Sequence, residues 1–139
     1  MTVGTTTEEV IEEYLRRSGE GDPDRIAALY AEAVGWRVNW PVDDHPAVPW
    51  IRPRSTRADV ADHYRTFGRL CEGTVTLDRV LYDGPHAVLI GESVQTVRTT
   101  GRTFTMRFAL HLTVRDGLIV QHHMYEDSQA VLEAFVPAG

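Results

Sequence analysis

Two adjacent histidines, His122 and His123, lie in a run of apolar and polar residues that is typical of a β-strand. Imidazole is the side chain that titrates near neutral pH without special help, and a general acid or base accelerates a reaction by about 10² to 10⁴-fold. Neighbouring strand residues point to opposite faces, so this pair cannot chelate one metal ion. Because the sequence also has no His-x-His pair, we expect acid–base chemistry and no metal site. A half-buried histidine that only bonds a neighbour is the structural alternative.

Composition narrows the chemistry further. The 139 residues include 14 basic residues, all of them arginine, 20 acidic residues and one cysteine, Cys71, for a net charge of −6. Without lysine the chain cannot form a Schiff base or attach pyridoxal phosphate, and one cysteine cannot build a disulfide framework or a thiolate zinc cluster. We therefore expect a single domain over residues 1–139 that works without a cofactor.

The charge distribution bears on partners and location. An acidic chain without a basic stripe is a poor nucleic-acid binder. No apolar run approaches the length of a membrane span, and residues 1–7 do not read as an export signal. These features predict a cytoplasmic protein that binds neither nucleic acid nor membranes.

Three helices are predicted in the N-terminal half. The first covers 6–18, with Thr6 and Glu9 as a capping box. The second begins at Asp22-Pro23, and its buried side would hold Ile26, Leu29, Tyr30 and Ala33. A strand follows at 35–40, and then a proline-rich loop at 41–54 that is long enough to be a lid. Ser55 or Thr56 caps the third helix, whose apolar side is Val60, Tyr64, Phe67 and Leu70.

The C-terminal half alternates strands with turn signals. Strands are predicted at 74–82, 87–99, 104–114 and 118–125, and a short helix at 128–135. The order of elements predicts an α+β domain whose curved antiparallel sheet wraps around the N-terminal helices as an open-mouthed cone. Such mouths are where small ligands bind.

Several strings carry a family resemblance: Gly21-Asp22-Pro23, Asn39-Trp40-Pro41, Ser55-Thr56-Arg57-Ala58-Asp59-Val60, and Arg115-Asp116-Gly117 running through to Tyr125-Glu126-Asp127. In order and spacing they resemble the nuclear transport factor 2-like superfamily, in its SnoaL-like and ketosteroid isomerase-like branch. The resemblance implies the cone fold, and it spans nearly the whole chain. The superfamily includes isomerases, polyketide cyclases, dehydratases, epoxide hydrolases and proteins without catalysis, so the fold leaves the reaction open.

The last hairpin decides which histidine faces the cone. If Asp116-Gly117 is a two-residue turn, the inward residues are Ile119, Gln121, His123 and Tyr125. If a three-residue loop ends in Gly117, they are Val120, His122, Met124 and Glu126. We favour the second threading because it gives Gly117 the positive φ and because the resemblance places cavity residues at His122 and Met124. His122 would then lie opposite Leu110.

The candidate site follows from the strand phase and the resemblance. The expected catalytic residues are His122, Tyr14 and His63. Tyr14 matches the tyrosine that donates a hydrogen bond to the oxyanion in ketosteroid isomerase-like proteins, although a core tyrosine is as common. Expected substrate-binding residues are Arg37, Asn39, Trp40, Trp50, Phe67, Ser93, Gln95, Met106, Phe108, Met124 and Glu126.

The sequence also departs from known relatives. Trp40 stands where ketosteroid isomerase-like enzymes carry a catalytic Asp, and Met106 stands near their second acid. The Asp-Arg-Asp set of limonene epoxide hydrolase-like enzymes falls on Gln95, Ser93 and Met124. Both familiar reactions are therefore disfavoured.

Three hypotheses remain. The leading one is a cofactor-independent isomerase, cyclase or dehydratase that acts on a hydrophobic small molecule such as a polyketide or terpenoid. The others are a non-catalytic binder that uses the same cavity and a structural module that forms dimers. The resemblance further implies a homodimer through the outer sheet face, where Arg107, His111, His123 and Tyr125 would lie.

Overall fold

A computed structural model describes residues 5–136. The elements are α1 (Thr7–Glu20), α2 (Pro23–Ala27), β1 (Tyr30–Val38), α3 (Arg57–Leu70), β2 (Cys71–Asp83), β3 (His86–Val97), β4 (Thr103–Arg115), β5 (Leu118–Glu126) and α4 (Ser128–Phe135). The predicted α+β architecture is confirmed, with a curved, open sheet packed against the helices. The predicted cap at Thr6 is confirmed, and of the two candidates for the third helix Thr56 is the cap. Asp127 caps α4, and each of these side chains accepts a hydrogen bond from a first-turn backbone N–H.

The sheet has the order β1-β5-β4-β3-β2. Strands β2 to β5 form the predicted antiparallel meander, but β1 pairs with β5 in parallel, so the sheet is mixed. No hairpin joins β1 to β5, because α3 and three strands separate them in sequence. Their pairing is therefore free of the antiparallel direction that a tight turn imposes.

The second helix is shorter and the first strand earlier than the sequence indicates. Helix α2 ends at Ala27, and Tyr30 begins β1 with its side chain fully buried. The apolar spacing of Ile26, Leu29 and Tyr30 imitates a helical face. The chain extends because the Leu29 carbonyl accepts from the Ile119 N–H of β5. The early start of β1 also changes which of its side chains face inward.

The last hairpin combines a two-residue turn with a β-bulge. Asp116 and Gly117 both have positive φ, 52° and 76°, and Arg115 pairs directly with Leu118. The favoured three-residue loop is therefore wrong. Val120 is an extra residue, because Val114 pairs with Ile119 whereas Thr113 pairs with Gln121. This bulge reverses the alternation of side chains between the two faces of the sheet. His122, two positions after Val120, therefore faces inward.

The bulge also shifts the partners of the inward residues. His122 lies opposite Leu112 rather than Leu110, and His122 is only 2% exposed. On the neighbouring pair, Ser93 lies opposite Met106 and Gln95 opposite Phe104. The inner face of the sheet is consequently apolar with a few embedded polar groups.

The proline-rich loop is a fixed wall of the domain. Val48, Trp50 and Ile51 are buried, and Trp50 packs edge-on against Phe67 of α3, with ring centroids 4.9 Å apart. The buried Arg54 guanidinium donates to the carbonyls of Trp50 (3.3 Å) and Asp59 (2.6 Å). These bonds tie the loop to α3, which argues against a freely moving lid. No helix within residues 5–136 is both long and apolar enough to cross a membrane.

Candidate active site

A cavity of about 750 Å³ lies between the inner face of the sheet and helices α1 and α3. Most expected site residues lie on its wall: Tyr14, Trp50, His63, Phe67, Ser93, Gln95, Met106, Phe108, His122, Met124 and Glu126. The wall is largely apolar, as ligand cavities for hydrophobic molecules generally are. The Gln95 amide donates to the Ser93 hydroxyl (3.0 Å), which fixes one small polar patch on β3.

Arg37, Asn39 and Trp40 do not lie on this wall. The inward residues of β1 are Trp36 and Val38, and Arg37 is exposed on the other face, level with His123. The expected strand phase was therefore wrong by one residue. Asn39 and Trp40 instead support the end of β5, as described below.

Four side chains from four elements form a hydrogen-bonded array. The hydroxyls of Tyr14 (α1) and Tyr64 (α3) are 2.6 Å apart, and those of Tyr64 and Tyr30 (β1) are 3.4 Å apart. The Tyr30 hydroxyl lies 2.8 Å from Nδ1 of His122 (β5). We call Tyr14, Tyr64, Tyr30 and His122 the tyrosine–histidine array. It joins two of the expected catalytic residues through two tyrosines that the sequence analysis did not assign to the site.

Burial keeps the whole array neutral. It raises the pKa of Tyr14, Tyr30 and Tyr64, since a phenolate would be poorly solvated there. It also lowers the pKa of His122 well below its usual value, and the nearby His63 and His123 contribute in the same direction. At neutral pH the array is therefore an uncharged imidazole connected to uncharged hydroxyls.

Trp36 and His63 enclose the imidazole. The Trp36 indole stacks on His122 with centroids 3.9 Å apart and planes within 7°, and His63 meets the indole edge-on at 4.7 Å. Burial, with Arg54 nearby, lowers the pKa of His63 to about 3. His63 is therefore neutral at physiological pH, and it also packs edge-on against Tyr64 of the array, with ring centroids 5.0 Å apart.

The free nitrogen of His122 determines what the array can do. Within residues 5–136, Nε2 has no hydrogen-bond partner, whereas Nδ1 is engaged by Tyr30. If Tyr30 donates to Nδ1, the Nε2–H group donates to a ligand. If Nδ1–H donates to Tyr30, Nε2 presents a lone pair. The two forms differ in which nitrogen carries the proton. Conversion of the first into the second removes the Nε2 proton and places one on Nδ1, which the Tyr30 hydroxyl can supply as it receives one from Tyr64.

A second polar group lies farther along β5. The Glu126 carboxyl is on the cavity wall, and its Oε1 accepts from Nε1–H of Trp40 at 2.9 Å. The Asn39 amide pairs with the Glu126 backbone, accepting from its N–H (2.9 Å) and donating to its carbonyl (3.1 Å). Burial raises the pKa of Glu126, because the charged form loses solvation that one N–H donor only partly replaces.

Sequence reasoning missed Tyr30 and Tyr64 as site residues. Tyr14 and Tyr64 were both predicted on apolar helix faces. Two buried hydroxyls facing one core need a partner, and this was the available signal for the array. Tyr30 carried no such signal because it was assigned to the wrong element.

The sequence profile of the SnoaL-like domain family matches residues 11–122. The chain belongs to this family. The SnoaL-like resemblance expected from the sequence is thereby confirmed. No curated protein matches the sequence of this SnoaL-like domain.

Solved structures share the fold at low identity. An NTF2-like protein from Burkholderia thailandensis superposes with a TM-score of 0.81 at 23% identity, covering 95% of this chain and 98% of that one. A ketosteroid isomerase-like protein from Catenulispora acidiphila, solved with trimethylamine, has a TM-score of 0.74 at 14% identity and 94% coverage of both chains. An LEH-like epoxide hydrolase from M. tuberculosis has a TM-score of 0.69 at 16% identity, covering 95% and 90%. At these identities the likeness establishes the fold alone.

The site has none of the features of a metal centre. Within the described part of the chain, no three His, Cys, Asp or Glu side chains are grouped so as to hold an ion. Cys71, at the start of β2, is buried, and that burial raises its pKa to about 11, so its thiol is not an activated nucleophile.

Proposed function

We propose that this SnoaL-like domain is a cofactor-independent enzyme that moves a proton next to a carbonyl group of a flat, hydrophobic small molecule. The observation that carries the proposal is the tyrosine–histidine array, which ends on a free imidazole nitrogen in an otherwise apolar cavity. Isomerisation, cyclisation and elimination of polyketide-like or terpenoid substrates all begin with such a proton transfer. The epoxide hydrolase among the structural neighbours indicates that the fold supports catalysis on small molecules.

The neutral imidazole suits the oxygen end of the reaction. His122, with Tyr30 donating to Nδ1, donates its Nε2–H to the substrate carbonyl and stabilises the negative charge that develops on that oxygen. With Nε2 unprotonated, His122 accepts the α-proton of the substrate at Nε2 while Nδ1 gives its proton to Tyr30. Each hydroxyl then passes one proton on, and Tyr14 releases one to the substrate oxygen, which becomes an enol. Burial disfavours a lasting imidazolium, so His122 shuttles a proton rather than storing one.

The remaining expected residues take supporting roles. Tyr14 lines the cavity at the other end of the array and is the second hydroxyl able to reach the substrate oxygen. Gln95 and Ser93 orient the ligand on β3. His63, which stacks against Trp36, stays a candidate second acid–base group, although its low pKa leaves it unprotonated at neutral pH.

The test uses 2-tetralone, a flat ketone with acidic α-hydrogens, whose exchange in D₂O is followed by proton NMR. The native protein is expected to accelerate exchange over a buffer blank. In the His122→Gln variant, the catalysed rate of exchange should be at least about a hundredfold lower than in the native protein. The His123→Gln variant is the matched control, since it changes the next residue on the opposite face, and it should stay within about twofold. Equal rates for the two variants would contradict the proposal.

The alternative is a non-catalytic binding protein with the same cavity. It is favoured by the low pKa of both cavity histidines, since neither is poised to titrate at neutral pH. The fluorescent phenol 2-naphthol resembles the enol of 2-tetralone and serves as a binding probe. A native protein that binds 2-naphthol and leaves the exchange of 2-tetralone at the blank rate would establish this alternative.

A further inference from the structure

Glu126 lies at the opposite end of the β5 wall from His122. The two residues are four positions apart on the strand, and both face the cavity. A strand rises by about 3.3 Å per residue, so their Cα atoms are about 13 Å apart. The cavity therefore has two separated polar ends with apolar side chains between them, Met124 and its partner Leu110 among them.

The Glu126 carboxyl is held in one orientation. Asn39 fixes the backbone of the residue on both sides, and Trp40 fixes Oε1. Within residues 5–136, no donor bonds to the other oxygen, Oε2. A group positioned this firmly, with one accepting oxygen left over, is arranged to receive a hydrogen bond from an occupant of the cavity.

The apolar surroundings of Glu126 strengthen a hydrogen bond to its carboxyl group. Among the described residues on the cavity wall, Glu126 is the only carboxylate, and no arginine lies beside it there. Burial raises the pKa of Glu126, and the negative charge of the adjacent Asp127 acts in the same direction. An acceptor in an apolar wall without a cation is under-solvated, so a donor brought by the ligand is worth more here than in water.

We propose that Glu126 is a specificity-determining residue that accepts a hydrogen bond from a hydroxyl group at the far end of the substrate. The substrate is then an elongated hydrophobic molecule with a carbonyl oxygen at the His122 end and a hydroxyl at the Glu126 end. A hydroxyl suits the site better than an ammonium group, because a neutral donor loses less solvation in an apolar cavity. Only the assignment of the carbonyl end rests on the proposed function.

Two rigid probes that differ by one hydroxyl isolate this contact: 4-hydroxybiphenyl and 4,4′-dihydroxybiphenyl. Binding to the full-length protein is measured by calorimetry. A hydrogen bond to a charged or partly charged acceptor is worth about 1.5 to 3 kcal/mol, so the second hydroxyl should tighten binding to the native protein at least about tenfold. The Glu126→Leu variant should reduce that advantage to less than about threefold.

Two further variants separate recognition from damage to the fold. Glu133→Gln, on the exposed surface of α4, should retain the full advantage of the second hydroxyl. Glu126→Gln keeps the shape of the side chain and an oxygen for Trp40 but presents an amide where Oε2 was, so it should retain only part of the advantage. The proposal is overturned if the second hydroxyl does not tighten binding to the native protein, or if its advantage survives in Glu126→Leu.

This experiment and the exchange assay can fail separately. If 2-tetralone exchange is not accelerated but the second hydroxyl is recognised through Glu126, the domain is a binding protein with the proposed specificity. If exchange depends on His122 but the native protein binds the two biphenyls equally well, the proposed enzymatic function is supported and the proposed role of Glu126 is rejected.

Discussion

His122 and His123 are consecutive on β5 and experience opposite environments. His122 is 2% exposed, stacked on Trp36 and hydrogen-bonded to Tyr30, and its pKa is well below the usual value. His123 is half-buried on the outer face near His111, and burial there, with Arg37 close by, lowers its pKa. The sheet thus separates two imidazoles of identical chemistry into a dry site connected to hydroxyls and a solvent-accessible surface.

The outer face has its own histidine cluster, beside a second, smaller cavity of about 410 Å³ that His86 and Thr113 line. His86 Nδ1 and His111 Nε2 are 3.0 Å apart, and Thr113 lies 3.3 Å from the same Nδ1. The difference teaches that hydrogen-bonded histidines alone do not mark a site in this fold. The inner cluster is distinguished by its burial and by the larger cavity that it lines. The homodimer expected through the outer face stays a prediction.

The largest difference in the free energy of unfolding is expected between variants of Trp36 and Arg37, which are also neighbours on opposite faces of the sheet. Trp36→Ala removes the ring stacked on His122 and should lower the free energy of unfolding by about 3 kcal/mol. Arg37→Ala changes an exposed side chain and should stay within about 0.5 kcal/mol. Urea denaturation measures both. Similar losses for the two variants would contradict the assignment of the inner face.

Acid should destabilise the protein through its inner histidines. The pKa of His63 is about 3 in the folded chain against about 6.5 when unfolded, so its contribution is complete above pH 6.5 and is lost as the pH falls. Between pH 7.5 and pH 5 the loss is about 2 kcal/mol. A His63→Phe variant should show a flatter stability profile by that amount, measured by denaturation at each pH. His123→Phe should flatten the profile less, and a larger effect from His123 would reverse the comparison.

Removing one hydroxyl tests the array. Tyr30→Phe leaves Nδ1 of His122 without its partner and should cost about 1.5 kcal/mol, since an unsatisfied buried group loses its compensation. Tyr125→Phe removes a hydroxyl from an outer-face residue that is 47% exposed and should cost less than about 0.5 kcal/mol. Thermal unfolding of both variants checks this. An equal cost would show that the Tyr30 hydroxyl contributes nothing beyond an exposed one.

The architecture was readable from the sequence because it rests on strong local signals. The capping boxes at Thr6 and Thr56 and the glycine turns between β2 and β5 each define an element from a few neighbouring residues. The parallel pairing of β1 with β5 could not be inferred this way. It depends on contacts between residues about 90 positions apart.

The site was less readable because side-chain facing depends on single-residue offsets. The extra residue at Val120 restores the inward position of His122 after a two-residue turn, and alternation of apolar and polar residues does not reveal such a bulge. In β1, Trp36 rather than Arg37 lies on the cavity wall, whereas the family resemblance had indicated Arg37. Tyr30 was missed because the sequence placed it on the second helix, before the predicted strand.

The neutral, ligand-facing state of His122 is tested most directly by NMR of protein labelled with ¹⁵N-histidine. The pH is lowered from 7.5 to 5.5, with and without 4-hydroxybiphenyl. The ring nitrogens of His122 should keep the shifts of a single neutral tautomer throughout, and the probe should move its Nε2 signal while leaving His123 unchanged. Protonation of His122 near pH 6.5, or a probe response at His123 instead, would contradict the account.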